Sequence, residues 1–303
     1  MGKIAFVFSG QGAQYGGMGK EFYDNFESVK ALYDRAEEIR PDTKRQSFEG
    51  SDEELKITEN TQPCVYLADM AAALAARESG ISPEGLAGFS LGELAALAFG
   101  GAYSAEDGFR IVKERGILMQ NAAKGQDTKM LAVMKLSSSE IENVCKNIKD
   151  VYPVNYNSPV QTVVSGSSEG IAALSAALSE YKCRAVELAV SGAFHSPYMN
   201  SAAEKMAAVL DGFDIKSPSM PVYANISALP YGEKVKENMQ NQINHPVLWQ
   251  KTIENMINDG FDTFIEVGVG KVLTGLIKKI DSSVSVFNIY DTESLKTAAE
   301  AVK

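Results

Sequence analysis

An unbroken apolar run near the start of the chain, Ile-Ala-Phe-Val-Phe at 4–8, most restricts what this sequence can fold into. Strands that expose one face to water alternate apolar and polar residues, so a continuous run indicates a strand buried on both faces, as in a parallel sheet covered by helices. The run stops at Ser9-Gly10, and a helical pattern follows over 18–39. Strand followed by helix is the repeating unit of α/β proteins, and we expect that fold class.

The same alternation continues through the first third of the chain. A helix start is indicated by Thr61 as N-cap and Pro63 in the first turn. A short strand candidate leads directly into an apolar helix, without a loop between them. The predicted elements are helix 63–78, strand 85–89, helix 91–99 and helix 105–123.

The middle of the chain has a different order of elements. Strands and helices there follow the order βαββαβ, which is that of the ferredoxin-like unit. The pattern predicts a small domain at 126–191, inserted between two parts of a larger α/β domain, 1–125 and 192–303. Its predicted elements are strand 130–136, helix 138–149, strands 152–156 and 162–165, helix 169–181 and strand 185–190.

Charge and cysteine content exclude several classes of function. A formal net charge of −10 argues against a nucleic acid or an anionic membrane as the main partner, because both would repel the chain. The three cysteines are widely spaced and form neither a disulfide framework nor a metal pattern. No apolar stretch approaches the ~18 residues of a membrane span. We expect a cytoplasmic protein with no metal.

The pattern G-x-S-x-G, which marks the tight strand-to-helix turn of a nucleophile elbow, occurs at 88–92 and at 166–170. Ser168 stands beside Glu169 before a polar helix start, where an ordinary capping role explains it. Ser90 leads into a helix of leucines and alanines that can pack closely under a sheet. This context favours Ser90 as a nucleophile, with a turn or cap serine as the alternative.

Another glycine-rich turn, 10–12, follows the first strand and invites a dinucleotide-binding interpretation. Such a unit needs a second strand ending in an acidic residue roughly 20 residues after the glycines. Residues 18–39 have instead the pattern of one charged helix. We therefore expect no nicotinamide cofactor.

A serine nucleophile needs a base within hydrogen-bond reach, and imidazole suits neutral pH. The chain has two histidines. His195 lies in a predicted loop between a strand and a helix, where catalytic groups are often found. His245 precedes Pro246 and suits a capping or surface role. The alternative role for His195 is a structural hydrogen bond. If Ser90 is the nucleophile, His195 is the favoured base.

Arg115 is predicted to lie on a buried helix face. It falls three residues after Val112 and four before Met119, both on the apolar stripe of helix 105–123. A structural ion pair or an arginine whose stem alone is buried would explain it. A guanidinium that binds a substrate carboxylate is the functional alternative.

With these residues the chain resembles the malonyl-CoA:acyl-carrier-protein transacylases over nearly its whole length. The strand pair around 153–159 is similar to that family's small domain. Four further blocks agree in order, namely Phe-Ser-Gly-Gln-Gly-Ala-Gln at 8–14, the elbow at 88–93, Gly-Ala-Phe-His-Ser-Pro at 192–197, and Glu-Val-Gly-Val-Gly-Lys-Val-Leu at 266–273.

The resemblance implies an α/β-hydrolase-like large domain with a ferredoxin-like insertion, and a ping-pong reaction through a malonyl ester on Ser90 with His195 as base. It implies an oxyanion hole from the backbone amides of Gln11 and Leu91, and a histidine oriented by a backbone carbonyl. It further implies substrate contacts from three residues, Arg115, Phe194 and Asn155. The expected partners are malonyl-CoA, a thioester substrate rather than a bound cofactor, and the acyl carrier protein of fatty acid synthesis. We expect a monomer.

Two positions depart from the family pattern. Phe89 stands where many members have histidine, and Leu248 is assigned to a position where some have glutamine. These departures concern the acyl specificity more than the chemistry. A stand-alone acyltransferase of a polyketide synthase and a serine hydrolase or thioesterase with the same pair of residues remain alternative functions.

Overall fold

The computed structural model describes residues 2–302. It contains a five-stranded parallel sheet and a separate four-stranded antiparallel sheet. The strands are β1 Lys3–Phe8, β2 Gly85–Gly88, β3 Thr128–Met134, β4 Val151–Ser158, β5 Gln161–Ser167, β6 Arg184–Glu187, β7 Val222–Tyr223, β8 Phe261–Val267 and β9 Ser285–Ile289.

Helices connect these strands and pack against both sheets. They are α1 Lys20–Asn25, α2 Glu27–Ile39, α3 Thr43–Glu49, α4 Asp52–Leu55, α5 Thr58–Glu78, α6 Leu91–Phe99, α7 Ala105–Ala123, α8 Ser138–Cys145, α9 Ser168–Leu178, the 3₁₀ helix η1 Pro197–Met199, α10 Asn200–Asp211, α11 Val235–Asn241, α12 Trp249–Asn258, α13 Val272–Ile280 and α14 Thr292–Ala301. No helix of the described residues has both the length and the apolar character needed to cross a membrane.

The parallel sheet has the strand order β7-β2-β1-β8-β9. In its register Phe8 lies opposite both Gly88 and Val267, so β1, β2 and β8 end at the same level. The turn after β1, the elbow after β2 and the glycine-rich turn after β8 therefore meet at one edge. Ligands of open α/β sheets bind in the crevice outside this carboxyl edge.

The large sheet has an apolar layer on each side. One layer packs β1 residues such as Phe6 and Phe8 against α5, α6 and α7, and the other packs Ala5 and Val7 against α12 and α13. The unbroken apolar run of β1 is explained by this placement, because successive side chains enter opposite layers. The predicted α/β class is confirmed.

The small sheet has the strand order β4-β5-β3-β6, and every neighbouring pair is antiparallel. Helices α8 and α9 pack on it through a separate apolar cluster. At its β4 edge, Tyr156 donates its amide to the carbonyl of Val247, and Val247 donates to Val154. These bonds join the small sheet to the segment before α12.

Some local predictions were wrong. The helix predicted over 18–39 is two helices, because Phe26 has extended backbone angles (φ −129°, ψ 119°). Helix α5 begins at Thr58, and Thr61 lies inside it, where its hydroxyl donates to the carbonyls of Leu55 and Ile57. Pro63 also lies within α5. The local helix-start signals were overridden by tertiary packing, since α5 is buried along nearly its whole length.

Candidate active site

Ser90 occupies a sharp turn between β2 and α6, with φ 52° and ψ −99°. A side chain at either flanking glycine would collide with backbone. A Cβ at Gly88 would lie 2.0 Å from the carbonyl carbon of Gly92, and one at Gly92 would lie 2.2 Å from the carbonyl oxygen of Phe8. The two glycines thus allow β1, β2 and α6 to approach closely while the serine stays at the tip of the turn.

The side chain of His195 faces Ser90. Its Nε2 lies 2.7 Å from Ser90 Oγ, and its Nδ1 lies 2.9 Å from the backbone carbonyl oxygen of Gln242. A carbonyl only accepts, so Nδ1 carries the proton in the neutral ring and Nε2 is left to accept from the hydroxyl. Burial, aided by the positive charge of Arg115, lowers the pKa of His195 to about 4. The imidazole is therefore neutral and able to take a proton at neutral pH.

Contacts with the small sheet and within η1 hold the segment that carries His195. The residue has a positive φ of 60°, a conformation that costs energy for a non-glycine residue. The preceding carbonyl, of Phe194, accepts a hydrogen bond of 2.9 Å from Ser165 on β5. Ser196 caps η1 through the amide of Tyr198. These contacts hold the residues before and after His195 in place and so fix the direction of its imidazole.

Arg115 lies beneath Ser90 and is 1% exposed. Its Nη1 donates to Gln62 Oε1 at 2.9 Å, and its Nη2 donates to Gln242 Oε1 at 2.8 Å and to Ser90 Oγ at 3.1 Å. All three acceptors are neutral oxygens, and Nε has no partner among residues 2–302. Burial lowers the pKa of Arg115 to about 10, which leaves it cationic at neutral pH. A buried guanidinium without a carboxylate partner is available to an anionic ligand.

Gln242 was not identified from the sequence. Its carbonyl orients His195, its Oε1 binds Arg115, and its Nε2 donates to the carbonyl of Ser90 at 2.6 Å. The backbone carbonyl that orients His195 is thus that of Gln242, whereas the carbonyl of Leu248 accepts from the amide of Thr252. No local sequence motif marks Gln242.

Asn225 was also missed. Its Oδ1 accepts from the amide of Ser90 at 2.8 Å, and its Nδ2 donates to the carbonyl of Gly88 at 2.7 Å. The side chain thus binds the backbone on both sides of Phe89 and holds the elbow. Asn225 lies 135 positions beyond Ser90, just after β7, so only the fold brings the two together.

Gln11 lies in the turn after β1, and Leu91 follows the elbow after β2. A Cβ at Gly10 would lie 2.7 Å from the carbonyl oxygen of Phe89, which shows how closely the turn after β1 approaches the elbow. Leu91 is the first residue of α6, where the amide has no partner within the helix. Neither amide has a hydrogen bond in the described part of the chain. Both are therefore available to a ligand.

The other predicted residues form no hydrogen bond with the Ser90 hydroxyl within the described part of the chain. Asn155 is buried on β4 and pairs with Val247, and no hydrogen bond among the described residues links its side chain to Ser90. Phe194 is 7% exposed beside His195. The ring of Phe89 packs edge-on against Trp249 at a centroid distance of 5.6 Å.

The second G-x-S-x-G match is an ordinary helix start. The residue that caps α9 is Ser167, whose hydroxyl accepts from the amide of Gly170, so the assignment of the cap to Ser168 was wrong by one residue. His245 is exposed and bonds through Nδ1 to the carbonyl of Asn241, consistent with a surface role.

Comparison with known proteins identifies the family. The acyl transferase domain family matches residues 5–295. A malonyl CoA-acyl carrier protein transacylase of Bacillus subtilis (strain 168) is 39% identical over 100% of this chain and 98% of its own. The chain belongs to the malonyl-CoA:acyl-carrier-protein transacylase family. It is accordingly an acyltransferase, and the resemblance predicted from the four sequence blocks is confirmed.

Solved structures of the transacylase family share the whole fold. The malonyl CoA-acyl carrier protein transacylase of Clostridium perfringens has a TM-score of 0.96 and 37% identity, and the match covers 99% of this chain and 97% of that one. Another match, with a TM-score of 0.94 and 34% identity over 99% of both chains, is a malonyl-transacylase in complex with a type II PKS acyl-carrier protein.

Proposed function

We propose that the protein transfers a malonyl group from malonyl-CoA to the phosphopantetheine thiol of an acyl carrier protein, through an ester on Ser90, and so supplies fatty acid synthesis. The observation that carries this proposal is the convergence of a base and a cation on the Ser90 hydroxyl. Ser90 Oγ lies 2.7 Å from His195 Nε2 and 3.1 Å from Arg115 Nη2. The oxygen atom of the nucleophile therefore contacts both a base and a cation that can bind a carboxylate.

In the first half-reaction, Ser90 Oγ attacks the thioester carbonyl while His195 Nε2 takes the hydroxyl proton. The amides of Gln11 and Leu91 are the donors for the oxyanion that forms, and such a donor is usually worth about 3–4 kcal/mol. The tetrahedral species breaks its C–S bond, and the departing CoA sulfur receives the proton from the imidazolium. The products are malonyl-Ser90 and free CoA thiol.

The second half-reaction uses the same groups in the opposite direction. His195 removes the proton of the carrier's pantetheine thiol, whose sulfur attacks the ester carbonyl. The C–O bond then breaks, and Ser90 Oγ recovers its proton from the imidazolium. The neutral imidazole required at the start of both halves follows from the lowered pKa of His195.

The orientation of the base needs no acidic third residue. The carbonyl of Gln242 accepts from Nδ1 and keeps Nε2 directed at Ser90. All these groups come from one chain, which is consistent with a catalytically complete monomer. The steps use side chains, amides and the thioester alone, so we propose no permanently bound cofactor.

Arg115 is the proposed binding group for the free carboxylate of the malonyl moiety. Its present acceptors are neutral, and a carboxylate would supply the charge that the buried guanidinium lacks. A hydrogen bond to a charged group is worth about 1.5–3 kcal/mol, which corresponds to a preference for malonyl over acetyl of about 10–100-fold.

Phe194 and Asn155 complete the proposed substrate contacts. An aromatic ring beside His195 leaves little room for an α-methyl group, and one such group is worth about 1–3 kcal/mol of discrimination.

We propose that 126–191 is a ferredoxin-like domain inserted into an α/β-hydrolase-like domain made of 1–125 and 192–303. The strand order of the small sheet and its βαββαβ sequence support this division.

A polyketide pathway is a second candidate, favoured by two similarities. The polyketide biosynthesis malonyl CoA-acyl carrier protein transacylase PksC of Bacillus subtilis (strain 168) is 39% identical over 91% of this chain. The solved complex noted above contains a polyketide carrier. The chemistry is the same in both pathways, and only the carrier protein differs.

Intact-mass measurement tests the proposed function. The purified protein is incubated with malonyl-, methylmalonyl- and acetyl-CoA, and holo acyl carrier proteins of fatty acid and polyketide type are then added. We expect one malonyl adduct, less of the other two adducts, and transfer to the fatty acid carrier. Release of free malonate without transfer to either carrier would indicate a hydrolase and contradict the proposal.

A further inference from the structure

Glu93 is a buried carboxylate next to the reactive residues. It lies in the first turn of α6, three residues after Ser90, and is 1% exposed. It forms no ion pair within the described residues, and each hydrogen bond that its carboxylate accepts there comes from a neutral donor. The proposed transfer steps do not use it.

Three donors converge on the Glu93 carboxylate. The hydroxyl of Tyr231 donates to Oε1. Gln242 Nε2 and the backbone amide of Asn225 donate to Oε2 at 2.9 and 3.2 Å. An ionised carboxylate only accepts, so these contacts match its charged form.

Two of these donors are the residues that hold the reactive groups. Gln242 orients His195 through its carbonyl and Arg115 through its Oε1. Asn225 holds the backbone amide of Ser90 through its Oδ1. The orientation of the Gln242 amide follows from its partners, because the guanidinium only donates and the carboxylate only accepts. The base, the cation and the nucleophile are thus all tied to one carboxylate.

We propose, on the basis of the proposed function, that Glu93 is a positioning residue for the transfer reaction, which acts through Gln242 and Asn225 to align His195, Arg115 and Ser90. It takes the place of the acidic residue that many serine enzymes attach directly to the histidine. Here the acid acts on the histidine through an intervening residue, Gln242, and aligns three groups (His195, Arg115 and Ser90) rather than one.

Protonation of Glu93 supplies a readout that a merely structural carboxylate would lack. Burial raises the pKa of Glu93 to about 7, although its hydrogen bonds and Arg115 oppose the shift. A protonated carboxyl would direct one O–H at groups that themselves donate. The facing ionisable groups are Arg115, with a pKa of about 10, and the phenols of Tyr103 and Tyr231, whose pKa values are raised well above the usual range. Among these four groups, Glu93 is the one whose pKa lies near neutrality.

The test compares Glu93→Gln with a matched control, Glu266→Gln. Glu266 is also 1% exposed and accepts hydrogen bonds from two backbone amides, those of Leu273 and Thr274, but within the described residues it forms no hydrogen bond with the reactive residues. Two rates are measured between pH 5 and 9: acylation by malonyl-CoA, and sulfonylation of Ser90 by phenylmethanesulfonyl fluoride, which is neutral and needs no carboxylate site. Circular dichroism and thermal melting verify that each variant is folded.

For Glu93→Gln we expect both rates at pH 8 to fall about 10–100-fold, the size of losing a charge-assisted hydrogen bond. We also expect that the wild-type decrease in rate below about pH 7 is absent in this variant and present in Glu266→Gln. Wild-type rates for Glu93→Gln, or equal losses in both variants with an unchanged pH profile, would overturn the proposal. Glu93-dependent sulfonylation in a protein that malonyl-CoA does not acylate would instead leave it standing and refute the proposed function.

Tyr231→Phe provides a test should Glu93→Gln fail to fold. It removes only the hydroxyl that donates to Oε1 and leaves the ring in place. We expect a decrease in acylation of a few fold and an acid limb shifted to higher pH, because the carboxylate loses a donor that favours its charged form. An unshifted limb at the wild-type rate would contradict the proposal.

Discussion

The backbone carbonyl of Gln242 accepts the Nδ1 proton of His195 at 2.9 Å, while the side chain of the same glutamine binds Arg115. One residue therefore orients both the proposed base, His195, and the arginine proposed to bind the substrate carboxylate. The geometry explains how a serine–histidine pair can be aligned without an acid in contact with the imidazole. It also couples the chemistry of the ester to recognition of the acyl group.

Arg115 should determine the choice between malonyl and acetyl groups. We expect Arg115→Ala to lower kcat/KM for malonyl-CoA by about 10–100-fold, because a charge-assisted hydrogen bond is lost. Acetyl transfer should be retained, since an acetyl group has no carboxylate. The control is Arg110→Ala on the same helix, which removes an exposed ion pair with Glu106. Equal losses with both thioesters would show that Arg115 has a structural role only.

Asn225 should contribute strongly to the stability of the elbow. Asn225→Ala leaves the amide of Ser90 and the carbonyl of Gly88 without their partners. Each unsatisfied buried group costs about 1–3 kcal/mol, so we expect a loss of about 2–6 kcal/mol in the free energy of unfolding, measured with urea. Asn200→Ala, at an exposed site, should cost far less. Similar values for both variants would contradict this role.

Neutralising Asp69 should change how stability depends on pH. Asp69 is fully buried, neither carboxylate oxygen has a partner in the described residues, and burial, with the nearby negative charge of Glu266, raises its pKa well above the usual range. The folded protein thus keeps a proton that the unfolded chain releases near pH 4, and stability falls as pH rises above that value.

Asp69→Asn has no proton to lose. Its unfolding free energy, measured with urea, should exceed that of the wild type by more at pH 8 than at pH 5. A difference that is the same at both pH values would mean that Asp69 does not titrate as its burial implies.

The sequence predicted the groups that belong to local patterns. The apolar run of β1 and the spacing of Ser90 between Gly88 and Gly92 each depend on a few neighbouring residues, and the helical period placed Arg115 on the buried face of α7. Gln242 and Asn225 carry no local signal, because the site residues that they bind lie 47 or more positions away along the chain.

Boundaries were less predictable than elements. Residues 18–39 have a single helical period, yet Phe26 is extended and its ring packs against Phe22 at a centroid distance of 6.1 Å. The short helices α3 and α4 were not predicted. Helix α4 has only a few residues and depends on the cap from Ser51, which is too small a pattern to distinguish from a loop.

The central claim is a covalent malonyl ester on the Ser90 hydroxyl, and its most direct test is the mass of Ser90→Ala after incubation with malonyl-CoA. The wild type should gain one malonyl group, located by peptide mapping to the segment containing Ser90. The variant should gain none, and its transfer rate should fall by about 10³-fold or more. A folded Ser90→Ala protein that still acquires the malonyl group would show that the nucleophile lies elsewhere.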